Sequence, residues 1–423
     1  MTPLVLGPTS VLVPQNRWDL IPPGPAPTVT VVVPHYEQPA QLARVLAALG
    51  QQSAGRLDVV VADDGSAQPP IVPTGVRLVR QADRGFRAAA ARNLGAAAST
   101  ADVLVFLDAD TVPEPGFVKA LVRRVSACPD VVAVGRRRHA DLSGDGAELP
   151  EPSWLREGYA ASRDLLDADG RSFRFVISAV LACRRSLFAD LGGFDERFVG
   201  YGGEDWDFGY RAWNAGAVLV HEPEAVAWHD GPEWAGRGDP ASREVKDAET
   251  ARLAALVPEP LTRGAPLPTE LPDVLVDLGA YDARCVHALL RQDHRDLQVR
   301  VDSPVDERHA SAVRTGSWAD DQLRRARVRV RLDRPVLLAP PVVGSLVDRL
   351  TREGLGELVL RVGGEVVGLA QSTRALGRAR RWSGAVDDVA GWAFGRADVE
   401  VPVVPPRDDL AGFLAAPWDA PAG

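Results

Sequence analysis

The stretch Val103-Leu-Val-Phe-Leu-Asp-Ala-Asp110 decides how the first half of this chain is read. Five apolar residues in a row suit a strand buried on both faces, and two aspartates follow at its carboxyl end. Two other apolar runs have the same character. One is Val29–Val33; the other is Leu57–Ala62, which ends in Asp63-Asp64-Gly65-Ser66. Between them, Gln38–Gln52 places Leu42, Val45, Leu46 and Leu49 at helical spacing, while Val76–Arg80 predicts a short strand and Ala88–Ala98 an alanine-rich helix. Strands and helices alternating at this length predict an α/β fold with a Rossmann-like, mostly parallel central sheet. Such sheets bind ligands at the carboxyl ends of their strands, where both acidic pairs fall.

Further along, residues 136–172 read as polar and irregular, marked by Trp154 and Tyr159. Phe173–Cys183 predicts a strand and Arg184–Leu191 a short helix. Then comes Gly202–Arg211, GGEDWDFGYR. Glycines let a backbone pass close to a ligand, and acidic side chains suit a helix start, where free N–H groups favour negative charge. Asp205–Asn214 reads as a helix with Trp206, Tyr210 and Trp213 on one face and Asp207 and Arg211 paired four residues apart. Gly216 is a fitting stop. Ala217–Glu222 and Ala225–Trp228 predict short strands, with His229 closing the second.

The length of 423 residues suggests two to three domains at roughly 150 residues each. A net charge of −9 argues against a general nucleic-acid-binding surface. Lysine occurs only at Lys119 and Lys246, a bias toward arginine that is compositional. Cys128, Cys183 and Cys285 form neither a disulfide framework nor a zinc pattern, which points to a reducing compartment. The first residues lack a basic leader region, and no apolar run approaches the roughly 20 residues of a membrane span. A cytoplasmic location is expected, with peripheral contact at the inner membrane face left open, as is homo-oligomerisation.

Residues 1–27, ending in IPPGPAP, read as an extended N-terminal arm and 28–257 as the main α/β domain. Residues 258–272 hold five prolines and read as a linker, 273–405 as a second, smaller α/β domain, and 406–423 as a tail. The order of elements recurs in the second half, which suggests a degenerate copy. The acidic strand ends do not recur: Asp302-Ser303-Pro304 stands opposite Asp63-Asp64-Gly65-Ser66, and Gly363-Gly364-Glu365 opposite Asp108-Ala109-Asp110. An unrelated α/β domain is the alternative.

Several residues carry candidate chemistry. Asp108 and Asp110, one residue apart on a turn, can hold a hard divalent ion that neutralises a diphosphate; a solvated turn is the plain alternative. Asp63-Asp64-Gly65-Ser66 can accept hydrogen bonds from a base or ribose, or be a simple Asp-Gly turn. Arg92-Asn93 can reach a base or phosphate, or cover a helix surface. His229 is a structural histidine or a Mn²⁺-type ligand beside carboxylates. Asp205 can remove a proton from an attacking hydroxyl, or with Glu204 merely cap a helix. No single motif decides between these readings. Their order along the chain is the stronger signal.

The ordered segments VTVVVPHYEQP (28–39), VVVADDGS (59–66), RGFRAAAARNLG (84–95), VLVFLDADTVPEPGF (103–117), GGFDERFVGYGGEDWDFGYRAWNAG (192–216) and AWHD (227–230) resemble the GT-A glycosyltransferases of family 2. They are most similar to the branch with bacterial chondroitin-polymerase modules and galactosyl- and N-acetylgalactosaminyltransferases. The resemblance implies a hexosyl- or N-acetylhexosaminyltransferase with a nucleotide-sugar donor, a UDP-sugar, and Mn²⁺ or Mg²⁺. It implies that Pro34, Tyr36 and Asp64 line the base with Arg92 beside it, and that Gly203 belongs to the nucleotide-sugar site. Asp108 would touch ribose and metal, with Asp110 and His229 as metal ligands. Glu204 would bind sugar or acceptor, and Asp205 would be the base of an inverting single displacement onto a glycan or small-metabolite acceptor. Where related modules carry a Gly-Gly-Asn-like segment, this chain has Ile177-Ser178-Ala179-Val180. A retaining transferase and a nucleotide-sugar-binding pseudoenzyme or scaffold are the rival expectations.

Overall fold

Why the apolar runs become strands is plain from their burial: Val31, Val32, Val33, Val60, Val61 and every residue of Val103–Leu107 are inaccessible to solvent. A strand covered on both faces needs an unbroken apolar sequence, and each fully buried valine contributes roughly 1.5–3 kcal/mol. The computed structural model describes residues 2–55, 57–232, 240–264 and 270–405. The chain divides into two compact units, Met1–Trp213 with Ala217–Leu253, and Asn214–Gly216 with Ala254–Gly423.

The first unit begins with a hairpin, β1 (Leu4–Gly7) and β2 (Ser10–Leu12). Residues 1–27 were expected to run as an extended arm; instead Val11, Leu12 and Val13 are buried, and the buried Asn16 amide donates to the carbonyls of Leu165 and Leu219. Next come β3 (Val29–His35), α1 (Pro39–Leu49), β4 (Asp58–Asp63), β5 (Val76–Arg80), α2 (Ala88–Ala97), β6 (Val103–Leu107), β7 (Thr111–Pro113) and α3 (Phe117–Val122). They are followed by β8 (Val131–Ala140), β9 (Glu148–Leu149), α4 (Ser153–Ala161), β10 (Val180–Arg184), α5 (Arg185–Leu191), α6 (Glu204–Asn214), β11 (Val218–Asp230) and α7 (Pro240–Leu256).

The main sheet has the order β5-β4-β3-β6-β10-β8-β11-β7, with β9 paired to β8. β3, β4, β5 and β6 are mutually parallel, β10 runs antiparallel between β6 and β8, and β8 is parallel to β11. The mostly parallel sheet is therefore present, interrupted inside by the reversed β10, with β7 and β9 also antiparallel to their neighbours β11 and β8. Three local expectations change. Phe173–Cys183 is not one strand: a short 3-10 turn over Ser172–Phe175 precedes β10. The two short strands before His229 are one, β11, with a register shift between Glu222 and Val226. The first residues of 136–172, read as irregular, belong to β8; its outer half is charged because it lies at the rim of the sheet rather than in the core.

The alanine-rich helix α2 lies so close to the sheet that a Cβ on Gly95 would come within 2.4 Å of Val32 Cγ1. Small residues on this helix bring Arg92 directly over the strand ends. In α6 the expected Asp207–Arg211 pair forms at 2.7 Å and is buried, and Arg211 also donates to the Leu191 carbonyl at 2.6 Å. Removing one partner of such a pair is costly, because the other is left charged and buried.

The second unit holds α8 (Pro260–Arg263), β12 (Val274–Leu278), α9 (Ala283–Leu290), β13 (Leu297–Val301), β14 (Val313–Thr315), α10 (Asp320–Arg325) and β15 (Val328–Leu332). It continues with α11 (Val342–Arg352), β16 (Glu357–Val362), β17 (Glu365–Ser372), α12 (Thr373–Arg381), α13 (Val389–Phe394) and β18 (Arg396–Glu400). Residues 265–269 of the expected linker and the expected tail at 406–423 lie outside the described residues, and α8 falls within the proline-rich stretch.

The sheet order of this unit, β14-β13-β12-β15-β17-β16-β18, follows that of the first, β5-β4-β3-β6-β10-β8-β11, strand for strand. The directions match too: β17 is the reversed strand between β15 and β16, and β16 is parallel to β18. Register agrees as well. Val29 faces Val103 as Val274 faces Val328, and Leu107 faces Val180 as Leu332 faces Gly368. The Asp108 N–H donates to the Ala179 carbonyl just as the Asp333 N–H donates to that of Val367. The counterpart of Asp108-Ala109-Asp110 is thus Asp333-Arg334-Pro335, not Gly363-Gly364-Glu365. Strand ends are compared correctly only once β15, rather than β16, is matched to β6.

Candidate active site

Strands β3, β4 and β6 end at one cavity of about 350 Å³, into which the turn after β6, the end of β11 and one face of α2 also project. Pro34, Tyr36, Asp64, Arg92, Asp108, Asp110 and His229 all line it, so the structure gathers seven residues expected from five separate segments of the sequence. Glu204, Asp205 and Gly203 are not on its wall. Of the three, Glu204 is joined to the wall through Arg92.

Of the Asp63-Asp64 pair, only Asp64 faces the cavity. Asp63 is fully buried and holds the strand end together: it accepts from Ser66 Oγ at 2.6 Å, the Ser66 N–H at 3.1 Å and Arg80 Nε at 2.7 Å, and it lies 2.9 Å from the His35 ring. Burial alone would raise its pKa; these partners outweigh that and hold it below the usual carboxylate value. Asp64 accepts from the Arg87 N–H at 2.7 Å and from the Gln81 amide, which leaves it acceptor capacity toward a ligand. Tyr36 is 40 % exposed, with its hydroxyl 3.4 Å from Asp83.

Arg92 is neither a surface arginine nor a free phosphate ligand. It is 3 % exposed, and its two terminal nitrogens donate to Asp108 Oδ1 and Glu204 Oε1, both at 2.8 Å. Burial would lower its pKa, but the two carboxylates win and hold it firmly protonated. One guanidinium thus ties the turn after β6 to the first residue of α6.

Asp110 lies 3.3 Å from His229 Nδ1. Burial would raise the Asp110 pKa, yet the His229 ring and the Thr111 hydroxyl outweigh it, and the carboxyl sits below its usual value. The turn and the strand end meet because β11 pairs antiparallel with β7, setting His229 opposite Thr111. A carboxylate beside an imidazole is a fitting donor pair for Mn²⁺, and a hard carboxylate also suits Mg²⁺. Asp108 is occupied by Arg92, and among the described residues no three His, Cys, Asp or Glu side chains converge on one ion position. Asp110 and His229 therefore fit a metal as two ligands of a set that a bound diphosphate would complete, rather than as a closed cage with Asp108.

Gly202 and Gly203 have φ of +87° and +90°, a region that side chains with a Cβ rarely adopt. A Cβ on Gly203 would stand 2.6 Å from the Phe198 ring, so packing requires a glycine here. It lets the chain turn sharply into α6. Asp205 in the first turn of α6 is half-buried and is pushed up to about 7, chiefly by burial and next by Glu204, with Arg92 pulling the other way. A carboxyl poised near neutrality suits a proton acceptor.

Some lining residues escaped the sequence reading. Arg137 comes from β8, and Phe86 and Tyr201 stand at the mouth with ring centroids 6.0 Å apart. The His139 ring packs edge-on to His229 at 4.9 Å. The run Arg136-Arg137-Arg138-His139 was the available signal, a charged segment immediately after an apolar one.

Residues 30–192 match the model of the family "Glycosyl transferase family 2", and residues 168–225 match "N-terminal domain of galactosyltransferase". The first unit is a family 2 glycosyltransferase domain. Its α/β class, with a mostly parallel central sheet, is the one expected from the sequence. Hyaluronan synthase of Pasteurella multocida is 27% identical over 318 residues, covering 64% of this chain and 32% of the relative. Chondroitin synthase of Escherichia coli is 28% identical over 318 residues, covering 64% and 46%. Pre-mycofactocin glycosyltransferase of Mycobacterium tuberculosis (strain ATCC 25618 / H37Rv) is 34% identical over 220 residues, covering 49% and 44%. The chain thus spans between a third and a half of the length of these relatives. Among the described residues no helix is long and apolar enough to cross a membrane.

Proposed function

We propose that the first unit is an inverting, divalent-metal-dependent glycosyltransferase that moves a sugar from a UDP-sugar to a hydroxyl of a glycan or small metabolite. The observation that carries this reading is the Arg92 bridge. It links Asp108, on the cavity wall, to Glu204, the neighbour of Asp205, and so ties a nucleotide-side carboxylate to the proposed base through one buried cation.

The donor's base lies against Pro34 and Tyr36, with Asp64 accepting from it. A Mn²⁺ or Mg²⁺ ion bound by Asp110 and His229 would neutralise charge on the departing diphosphate. Arg92 holds Asp108 and Glu204 in place. Glu204, bound to Arg92, orients the transferred sugar or the acceptor. Asp205 takes the proton from the acceptor hydroxyl; the oxygen bonds to the anomeric carbon as the carbon–oxygen bond to phosphate breaks, and its electron pair leaves with UDP. One displacement inverts the anomeric configuration. The second unit, by this reading, is a non-catalytic copy: at the positions of Asp64 and Asp110, counted on from the matched strands, it has Pro304 and Pro335.

Asp205→Asn tests the assignment. Loss of a general base costs about 10²–10⁴-fold in rate, so kcat should fall that far while UDP affinity by calorimetry is unchanged. Near-normal turnover would remove Asp205 as base. Asp110→Ala should abolish the gain in UDP affinity that Mn²⁺ gives over EDTA, and equal affinity in both for the unaltered protein would overturn the metal site. The product's anomeric configuration, read by NMR, decides inversion against retention.

A further inference from the structure

Behind the Gly202–Gly203 turn lies a carboxylate with no part yet in the chemistry. Glu249, on the stretch of α7 that belongs to the first unit, is 7 % exposed. A Cβ on Gly202 would stand 2.8 Å from its Cδ and its Oε2, and a Cβ on Gly203 would stand 3.2 Å from its Cγ. Both glycines of the turn therefore leave room for one glutamate side chain. The carboxylate is anchored from its own helix, where Lys246 Nζ donates to each of its oxygens at 2.9 Å. The same ammonium lies 5.6 Å from the centre of the Trp206 ring, the residue after Asp205. Helix α7 thus meets the start of α6 at two places, the glycine turn and Trp206.

Three carboxyls crowd this corner: Glu204, Asp205 and Glu249. Glu204 is paired with Arg92 at 2.8 Å, and Glu249 with Lys246. Asp205 accepts the Trp206 N–H at 2.8 Å, and among the described residues no cation pairs with it directly. The charged groups that act on Asp205 are Glu204 from its own helix, Arg92 from α2 and Glu249 from α7, with Lys246 beside that last carboxylate. The buried Tyr159 phenol of α4 feels the Asp205 charge in turn. Burial raises the Glu249 carboxyl, Lys246 restrains the rise, and Glu204 adds to it. Like charges held together do not all ionise at once, so the carboxyl without its own cation keeps its proton longest. In this corner that carboxyl is Asp205.

We propose that Glu249 is a positioning residue for the base: anchored by Lys246 behind the Gly202–Gly203 turn, it holds a fixed negative charge against the first turn of α6. The proposal rests on the reading of Asp205 as proton acceptor. Glu249 acts through Asp205 and touches no reacting atom. Arg92 draws Asp205 toward the ionised form, while Glu204 and Glu249 oppose that pull, so the base can hold a captured proton near neutral pH. Without the Glu249 charge the pull of Arg92 is opposed by Glu204 alone, and Asp205 becomes a weaker base. The glycine pair gains a second purpose, since only a turn without side chains lets this carboxylate lie so close to the start of α6.

The test is a pH titration of carboxyl ¹³C signals by NMR, on the full chain with UDP and diamagnetic Mg²⁺. The Asp205 signal is the one lost in Asp205→Asn, and its midpoint in the unaltered protein should lie at about 7. Glu249→Gln keeps the shape and removes the charge, and should lower that midpoint by at least about half a pH unit. Glu249→Asp keeps the charge and should restore most of the difference. Coupling between two sites is reciprocal, so the Glu249 signal in Asp205→Asn should move down by a similar amount. That measurement needs no change at position 249, and it decides alone if Glu249→Gln loses UDP binding through misfolding. An Asp205 midpoint that Glu249→Gln leaves in place, one that Gln and Asp displace equally, or an unmoved Glu249 signal in Asp205→Asn would overturn the proposal. An Asp205 midpoint at the ordinary carboxylate value in the unaltered protein would instead count against Asp205 as base, so the two failures are distinguishable.

Discussion

Asp205 shows how one residue's setting decides its chemistry. Its carboxyl is raised to about 7 by burial and by Glu204, while Arg92 restrains the rise and Glu249 adds to it. A base must be unprotonated, so kcat/KM should fall about tenfold per pH unit below about 7 and level off above it. A profile flat between pH 5.5 and 8 would contradict the assignment. The stability sign is the reverse. A carboxyl whose folded pKa is raised favours the folded state when protonated; that contribution is full below about pH 4 and is lost as pH rises through about 7. Asp205→Asn should therefore raise Tm at pH 8 and change it little at pH 4, as a thermal melt at the two pH values would show. Activity and stability pull apart at this residue, as they do at strained or charged functional positions generally. The sequence showed an acidic pair at a helix start but gave no sign of which member would be poised, because that depends on Arg92, 113 residues away, taking Glu204.

At the scale of elements, the turn into α6 depends on Gly203. Alanine there would adopt a backbone conformation that costs about 1–3 kcal/mol and would press its Cβ onto Phe198. Gly203→Ala should lower unfolding free energy in denaturant by that amount, and the displaced start of α6 should reduce kcat with little effect on UDP affinity. An unchanged midpoint and rate would show that the turn tolerates a Cβ. Regular elements were legible wherever periodicity is local: Val76–Arg80 forms with the limits read from the sequence, and α1 and α2 differ from their expected limits by only a few residues. Elements whose pattern is set by distant partners were not. β8 turns charged at its outer half, and β10 is preceded by an apolar 3-10 turn that imitates a longer strand.

For the whole molecule, the shared strand order, direction and register of the two sheets explain why the second half looked familiar while lacking the motifs. Tyr281 occupies the position of Tyr36 and Asp333 that of Asp108, but prolines replace Asp64 and Asp110. Calorimetry should accordingly find one UDP bound per chain in Mn²⁺, and Asp333→Ala should leave stoichiometry and affinity unchanged; two sites per chain would refute a single catalytic centre. By itself, the sequence determined the α/β class, the acidic strand ends and the family resemblance, because apolar periodicity and strand-end chemistry are local properties. Only the tertiary structure decided that Asp63 braces β4 while Asp64 faces the cavity, that Arg92 joins Asp108 to Glu204, and that Asp333-Arg334-Pro335 is the true counterpart of Asp108-Ala109-Asp110. Each depends on which strand pairs with which, and pairing is settled by contacts between residues far apart in the chain.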